Sequence, residues 1–530
     1  MILGGGNVSR GHLYVGRTFT RNRLGRKKLL IVFDDVSGYQ QLEFLIGYFD
    51  YLNSRSRIII TSRDMQVLRN CSVEQIYQVN ELFHDEALKL FSRYAFKQNH
   101  PPVEYMELSN KIVSHTGRVP LALTVLGSML REREKPEWET VLSKITRIID
   151  RQTYDVLKLS YDKLDDIERY MFLDIACFFV GEDKDLVETF MHATCIYAYG
   201  LHVLVDKSLL TVSKLKNKIE MHNLIRAMGR EIVRTESVEN PARRSRLWHH
   251  EDIYGVLKRN TGTDEVLGIS LDMSKIRNIQ LDPGAFSKMH NLRFLKFYNS
   301  ANEMNSKVHL FQGTTLPSRE LSYFYWHAYP LKSLPSDFNP RKLCALHLPY
   351  SNLEQLPNEH FFKLKYINLS HSKLTKIPDI PVAPSLESLI LEGCNNLLEI
   401  PSSVGYLDKL VTLNLRDCKS LKSLPNYIHL KSLKILILSG CSNLSKFPEM
   451  LDNIKELYLG GTIIEELPSS IEYLSCLIIL DLENCSRLTC LPNGICKLKC
   501  LEELNLTGCS QLGRLPDDLG SLKALKKLKV

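Results

Sequence analysis

Two places in the chain set charged groups at the ends of apolar runs. Lys28-Leu29-Leu30-Ile31-Val32-Phe33 is apolar after its first residue and leads into Asp34-Asp35-Val36. A run apolar on both faces reads as a central parallel strand. In open parallel sheets, ligands sit beyond the C-terminal ends of the strands. Carboxylates there suit a hydrated Mg2+, held by Asp34, and an attacking water, activated by Asp35. The competing reading is a strand ending in an Asp-containing turn. Arg57-Ile58-Ile59-Ile60-Thr61-Ser62-Arg63-Asp64 repeats the arrangement. Arg63, planar and always charged, suits a terminal phosphate; a surface loop arginine is the plainer alternative.

The elements that must position these groups follow from pattern. An amphipathic stretch (Leu42, Phe44, Leu45, Tyr48) separates the two strands. Gly117-Arg118-Val119-Pro120-Leu121-Ala122-Leu123 reads as a turn followed by a helix, with Pro120 near its start. His222–Glu236 reads as a helix with Leu224, Ile225, Met228 and Ile232 on one face and Arg226, Arg230 and Arg234 on another. Three aligned arginines suit DNA phosphates, but a solvated face or a contact with a neighbouring domain is the simpler account.

Composition narrows the class. The 530 residues allow three or four domains. Lys plus Arg is 68 and Asp plus Glu 60, a net +8 that is no nucleic-acid signature over this length. The basic residues Arg10, Arg17, Arg21, Arg23, Arg26, Lys27 and Lys28 read as a solvated or inter-domain face. The opening carries no secretory h-region, and no run is apolar enough to span a membrane. The expected compartment is therefore the cytoplasm or nucleus. The 13 cysteines then read as reduced thiols, mostly small core fillers, and none forms a CxxC pair.

The second half repeats. LxxLxL starts at Leu343, Leu364, Leu386, Leu410, Leu433, Ile454, Leu477, Leu501 and Leu525, in steps of 21 to 24 residues, with weaker copies at Leu321 and Leu292. This is the period of leucine-rich repeats. Cys394, Cys418, Cys441, Cys485 and Cys509 follow the strands by three residues, and Thr462 takes the slot once. That position turns the chain and satisfies backbone groups inside. A proline then follows each unit, from Pro335, Pro357 and Pro378 to Pro516, and ends strand pairing. Stacked units bury one continuous core and present a concave binding surface. Its partner-facing positions include Glu387, Ser388, Ile390 and Glu392 in one unit and Val411, Thr412, Asn414 and Arg416 in the next. The last unit ends at Val530 with no polar cap, so the chain is expected to stop short of its natural end.

Taken together, the sequence resembles plant TIR-NB-LRR disease-resistance proteins, members of the STAND class of ATPase switches. KKLLIVFDDV resembles their Walker B motif and SRIIITSRD their sensor motif, with Arg63 in the arginine slot. Tyr77–Phe96, Gly117–Leu123 (GLPLAL in the family), Phe172–Phe179 and Met221-His222-Asn223 (MHD) follow in the family's order. The form of Phe172–Phe179 is that of the TIR-bearing branch. The resemblance implies ADP or ATP with Mg2+, bound through Arg63, Pro120, Leu121 and His222. Pro120 would pack on the adenine and His222 would lie near the β-phosphate.

It also implies a multidomain fold of α/β, α and solenoid parts. Residues 1–97 form a partial P-loop-type nucleotide-binding subdomain, 98–150 a helical subdomain, 151–235 a winged helix, 236–285 a linker, and 286–530 a leucine-rich-repeat horseshoe. Asn240–Trp248 resembles the family's linker segment, with Trp248 as an inter-domain anchor.

Two departures stand out. No GxxxxGK[ST] is present, and Gly4, Gly5 and Gly6 read as a turn, so the chain is expected to lack the P-loop and the NAD-cleaving TIR domain before it. The MHD aspartate is Asn223, which keeps hydrogen bonding but loses the charge. The first expectation is an ADP/ATP-switched immune receptor whose repeats meet a pathogen effector or a guarded host protein, with self-association through the nucleotide-binding region. The alternatives are a nucleotide-independent repeat scaffold or decoy, an ATPase in its own right with an incomplete site, and a winged-helix DNA binder.

Overall fold

The computed structural model describes residues 28–36, 38, 56–71, 73, 75–145, 151–193, 201–213, 215–301, 303–317, 319–339, 341–356, 361–377, 383–425, 427–428, 430–450 and 453–530. The basic segment before Lys28, the Gly4–Gly6 turn, the Leu42–Tyr48 stretch and prolines 357 and 378 lie outside them. The chain divides into two compact units, residues 1–184 with 199–231, and residues 185–198 with 232–530.

In the first unit β1 (Leu30–Phe33) and β2 (Arg57–Ile60) pair in parallel, Leu30 opposite Arg57. Both aspartates and Arg63 thus leave the same end of the pair. Helix α1 (Met65–Asn70) follows, capped by Asp64, whose carboxylate accepts from Gln66 N. In α2 (His84–Phe96), Ala87, Phe91 and Ala95 recur every four residues and are buried together. The core they enter is completed by Ile112 and Val113 of α3 (Met106–His115), Leu123, Leu126 and Leu130 of α4 (Pro120–Leu130), and Trp138 of α5 (Lys135–Ile145). Trp138 stacks on Phe96 at 5.3 Å and meets Phe91 edge-on at 5.8 Å. At Gly127 a Cβ would fall 2.9 Å from Phe91 O, so glycine lets α2 and α4 approach. The last helix of the expected nucleotide-binding subdomain therefore shares its core with the helical one.

Helix α6 (Arg151–Asp162) precedes α7 (Asp166–Asp174), which opens with a reciprocal Asp165–Glu168 capping box and runs into a buried π-turn, Ile175–Phe179. Helix α8 (His202–Asp206) leads to an antiparallel pair, β3 (Thr211–Val212) and β4 (Ile219–Glu220). Helix α9 (Asn223–Glu236) follows, within one residue of the helix read from the sequence. Its Gly229 meets the π-turn so closely that a Cβ would fall 2.7 Å from Ala176 Cβ.

The second unit holds a parallel sheet of 13 strands. It starts before the repeat pattern does: β5 (Arg246–Leu247) and β6 (Gly268–Asp272), inside the segment expected as a linker, pair in register with each other and then with β7 (Phe294–Tyr298). β8 (Tyr323–Trp326) follows, and after it one short strand per repeat as far as Lys527–Lys529. The central leucines, Leu389, Leu413, Leu436, Leu457, Leu480 and Leu504, are opposite one another and buried. After each strand the chain turns through a left-handed residue: His371, Gly393, Asp417, Gly440, Gly461, Asn484 and Gly508 in succession. The cysteine slot comes next. Cys394, Cys418, Cys441, Cys485 and Cys509 each donate Sγ–H to a carbonyl of the preceding repeat, those of Leu369, Leu391, Leu415, Leu459 and Leu482. Thr462, with a shorter reach, bonds Leu459 O of its own repeat. Among the described residues no helix is long and apolar enough to cross a membrane.

Candidate functional site

The strand ends of the first unit bring Asp34, Asp35 and Arg63 together. Thr61 organises them: its hydroxyl donates to Asp34 Oδ1 and accepts from Asp35 N at 2.8 Å. Asp35 takes a left-handed backbone, φ 52°, which swings its carboxylate toward Arg63. The two form a forked pair: Nε reaches Oδ1 at 3.2 Å, and Nη2 reaches Oδ1 at 3.0 Å and Oδ2 at 3.3 Å. The remaining amine of Arg63 donates to Ser160 Oγ at 3.2 Å. The side chains are 40% and 65% exposed, so solvent and ligands reach them. Arg63, expected on a phosphate, is thus engaged by the carboxylate expected to activate water.

A second group gathers the GLPL-like and MHD-like motifs. Pro120 is the first residue of α4 and is exposed; Leu121 follows it in that helix. Just before them Gly117 (φ 57°) and Arg118 (φ 60°) turn the chain through the left-handed region. The imidazole of His222 lies on this turn, with Nε2 3.3 Å from Gly117 O. Its Nδ1 accepts from Leu224 N at 3.2 Å, so the ring caps α9. One nitrogen accepting and the other facing a carbonyl assigns the proton to Nε2. Glu81 lies 3.6 Å from Nε2 and binds Arg118 at 2.8 Å. No hydrogen bond or ion pair among the described residues joins this group to Asp35 and Arg63.

Asn223 is the first residue of α9 and is exposed. Arg226 donates to Ala176 O at 3.3 Å, and Arg226 and Arg230 are only partly exposed. Arg226 is thus engaged on the π-turn and not presented as a free phosphate-binding group. Thr61, Ser160 and Glu81 were not singled out from sequence. Thr61 stood visibly in the strand-end motif, whereas Ser160, 97 residues from Arg63, carried no signal.

As a cofactor site, these residues fit a nucleotide in kind. Asp34 Oδ2 receives no hydrogen bond among the described residues and can hold a hydrated Mg2+. Arg63 offers charge, and His222 Nε2–H with Arg118 offers donors beside a backbone turn.

The repeats present another surface. Flanking the leucines, Ser388, Thr412, Ile435, Glu456, Ile479, Glu503 and Lys527 form one row across the strands. Ile390, Asn414, Ile437, Tyr458, Asp481, Asn505 and Lys529 form a second. Of the positions expected to meet a partner, Ser388, Thr412, Ile390 and Asn414 lie in these rows. Tyr458 donates to Glu456 at 2.9 Å. Burial first, then the hydrogen bond to Glu456 and the charges of Glu456, Asp481 and Glu503, push its phenol up to about 12.

Parallel strands ending in charged groups, a helical core and a parallel repeat sheet thus follow one another along the chain. Comparison with known proteins finds three modules along the chain. The NB-ARC domain matches residues 17–101, the winged-helix domain of Roq1-like disease resistance proteins residues 165–237, and a leucine-rich repeat region residues 413–530. The chain carries the NB-ARC, winged-helix and leucine-rich-repeat modules of plant TIR-NB-LRR disease-resistance proteins.

It is 41% identical over 476 residues to disease resistance protein RPP2A of Arabidopsis thaliana, covering 89% of this chain and 35% of that protein. It is 42% identical to the disease resistance-like protein DSC1 of the same plant, over 88% of this chain and 40% of that one. It is 40% identical to RUN1 of Vitis rotundifolia, over 77% and 32%. The chain thus spans well under half the length of these relatives. NB-ARC domains are nucleotide-binding, which at a coarse level supports ADP or ATP.

Proposed function

We propose that the chain is part of an intracellular plant immune receptor, switched by ADP and ATP, whose repeats engage a pathogen effector or a guarded host protein. The observation that carries this reading is the seating of His222 on Gly117: the MHD-like and GLPL-like motifs, 105 residues apart, meet at one backbone turn. A group so placed can respond to what occupies the turn and transmit it to α9, whose N-terminus it caps.

A bound nucleotide with Mg2+ would supply the charge that distinguishes the two states. Asp34 would hold the ion; Arg63 would hold phosphate once released from Asp35; Pro120 and Leu121 would flank the base; His222 would report the diphosphate. Ligand binding then shifts a population between two arrangements in proportion to its differential affinity. The outer rows of the repeat sheet support the partner role, since a solenoid offers a long face and no catalytic cluster.

A second reading, a nucleotide-independent repeat scaffold, is favoured by the Asp35–Arg63 pair, which occupies the phosphate-binding group. Calorimetric titration of the purified chain with ADP and an ATP analogue in Mg2+ separates the two. Micromolar or tighter ADP binding, lost in His222→Ala and Pro120→Leu, is the outcome expected for the switch. A folded chain that takes up no nucleotide would leave the scaffold reading.

A further inference from the structure

Arg63 is held from two sides. Its Nε and Nη2 fork onto Asp35 inside the strand pair, while Nη1 donates at 3.2 Å to Ser160 Oγ, on helix α6 and 97 residues along the chain. A second polar tie links the same parts: Arg69 of α1 meets Asp206 of α8 at 3.1 Å. The apolar cluster under the strand pair is small, Val36 and Val67 with Phe33, Ile60 and Cys71 packed against it. Among the described residues it takes no side chain from α6 or α8. Polar groups therefore make this junction, and junctions of that kind open and close without exposing a core.

Helix α6 is in turn set firmly on α7. The ring of Tyr161 lies 5.4 Å from that of Phe172, and Arg169 Nη2 donates to Asp162 O at 2.7 Å. Phe172 lies against Gly229 of α9, where a Cβ would fall 3.0 Å from its Cε1. Ser160 thus stands at the near end of a packed series that reaches the helix capped by His222.

The amine of Arg63 that faces α6 is the one with a neutral acceptor. A hydrogen bond between two ionised groups is roughly twice as strong as one between neutral groups. A γ-phosphate arriving at the strand ends would compete with the Asp35 carboxylate as an equal, but it would outcompete the Ser160 hydroxyl. The guanidinium is a rigid planar fork, so turning it onto a phosphate takes Nη1 away from α6.

We propose that Ser160 is a positioning residue that keeps Arg63 on α6 when the bound nucleotide has no γ-phosphate, and that ATP takes Arg63 away from it. This assignment rests on the nucleotide reading given above and adds to it the device that tells ADP from ATP. A diphosphate leaves the Arg63–Ser160 bond in place; a triphosphate breaks it. The strength of the bond is therefore subtracted from ATP binding alone, and differential affinity of that kind is what a two-state switch requires.

The test is a ratio of two affinities. The full chain is titrated by calorimetry, in Mg2+, with ADP and with the non-hydrolysable β,γ-imido analogue of ATP. Wild type, Ser160→Ala and Ser160→Thr are compared, with circular dichroism confirming that each is folded. Ser160→Ala should bind the analogue about three- to tenfold more tightly and ADP as wild type does. Ser160→Thr keeps the hydroxyl and should restore the wild-type ratio. A Ser160→Ala chain that binds both nucleotides in the wild-type ratio, or in one shifted toward ADP, would overturn the proposal and leave the nucleotide reading standing. A folded wild-type chain that takes up neither nucleotide would overturn both.

Discussion

The imidazole of His222 rests on the main chain of Gly117, so close that a Cβ at position 117 would fall 2.1 Å from Nε2. Two demands therefore meet on one glycine: a left-handed backbone (φ 57°) and room for a ring. Gly117→Ala should expel the ring and strain the turn. Helix α9 then loses its cap at Leu224 N. The expected cost is about 2 kcal/mol, shared between backbone strain and the lost cap. Because part of that cost passes through the ring, Gly117→Ala should cost less in a His222→Ala background. Urea unfolding of both single variants and the double variant measures this; strictly additive costs would show that the contact carries nothing.

Asp35 and Arg63 support a different prediction. Both side chains are well exposed, so the pair contributes about 1 kcal/mol or less to stability and fades in salt. Its consequence is for ligand binding. Asp35→Asn removes a negative charge beside the presumed phosphate position and frees Arg63. Under the switch reading it should tighten ADP binding while leaving the unfolding midpoint nearly unchanged. Arg63→Ala should weaken binding. Calorimetry on the two variants decides; an Asp35→Asn chain that binds more weakly than wild type would place the carboxylate on the ligand's side.

What the sequence made legible follows from what is periodic. The repeats were readable because leucine, cysteine and proline recur in fixed order, each with a local geometric reason. The strands Arg246–Leu247 and Gly268–Asp272 were not, because they join the same sheet without the repeat's full signature: no cysteine slot follows Leu271, and Pro283 is not directly preceded by leucine. At the candidate site, the ends of β1 and β2 were visible as apolar runs stopping at charges. The Arg63–Asp35 pairing was not, since it depends on a left-handed Asp35 that no local pattern demands. Nor was the cap formed by His222, whose ring position is fixed by a glycine 105 residues away.

His347 predicts an acid sensitivity. It stands on the strand after β8, stacked near Tyr323 at 5.6 Å and Tyr325 at 5.9 Å. The residue keeps some exposure, but its Nε2 is buried without a hydrogen-bond partner among the described residues. Burial, helped by the charge of Lys296, pushes the imidazole from 6.5 down to about 4. Above about pH 6.5 the ring is neutral in both folded and unfolded chains, and its contribution to stability is fully present. As pH falls from there toward 4, only the unfolded chain takes up the proton, so stability is lost, by no more than about 3 kcal/mol. His347→Phe keeps the stacking and removes the titration. Urea midpoints measured from pH 7 to 4 should fall less steeply in that variant; equal slopes would mean that His347 is hydrated and titrates normally.

The buried thiols should be chemically silent and yet mechanically important. Burial raises the thiols of Cys394, Cys418 and Cys485, and pushes those of Cys344 and Cys441 up to about 12. The thiolate is the reactive form, so iodoacetamide at about pH 8 should leave these five untouched in the native chain. Cys476, Cys490 and Cys500, all exposed, should be alkylated, and urea should open the rest. Mass mapping reads the pattern.

Removing a thiol tests its second role. Leu391 O accepts from Cys394 N at 3.2 Å and from Cys418 Sγ at 3.1 Å. Cys418→Ala deletes one of those donors and leaves a small void, at about 1–2 kcal/mol. Cys418→Thr fills most of the void and keeps a donor, turned as in Thr462 two repeats on to a carbonyl of its own repeat, and should cost less. If alanine proved as stable as threonine, neither the volume nor the donor of the slot would contribute to stability, and the donor ladder from thiol to carbonyl would be a by-product of packing.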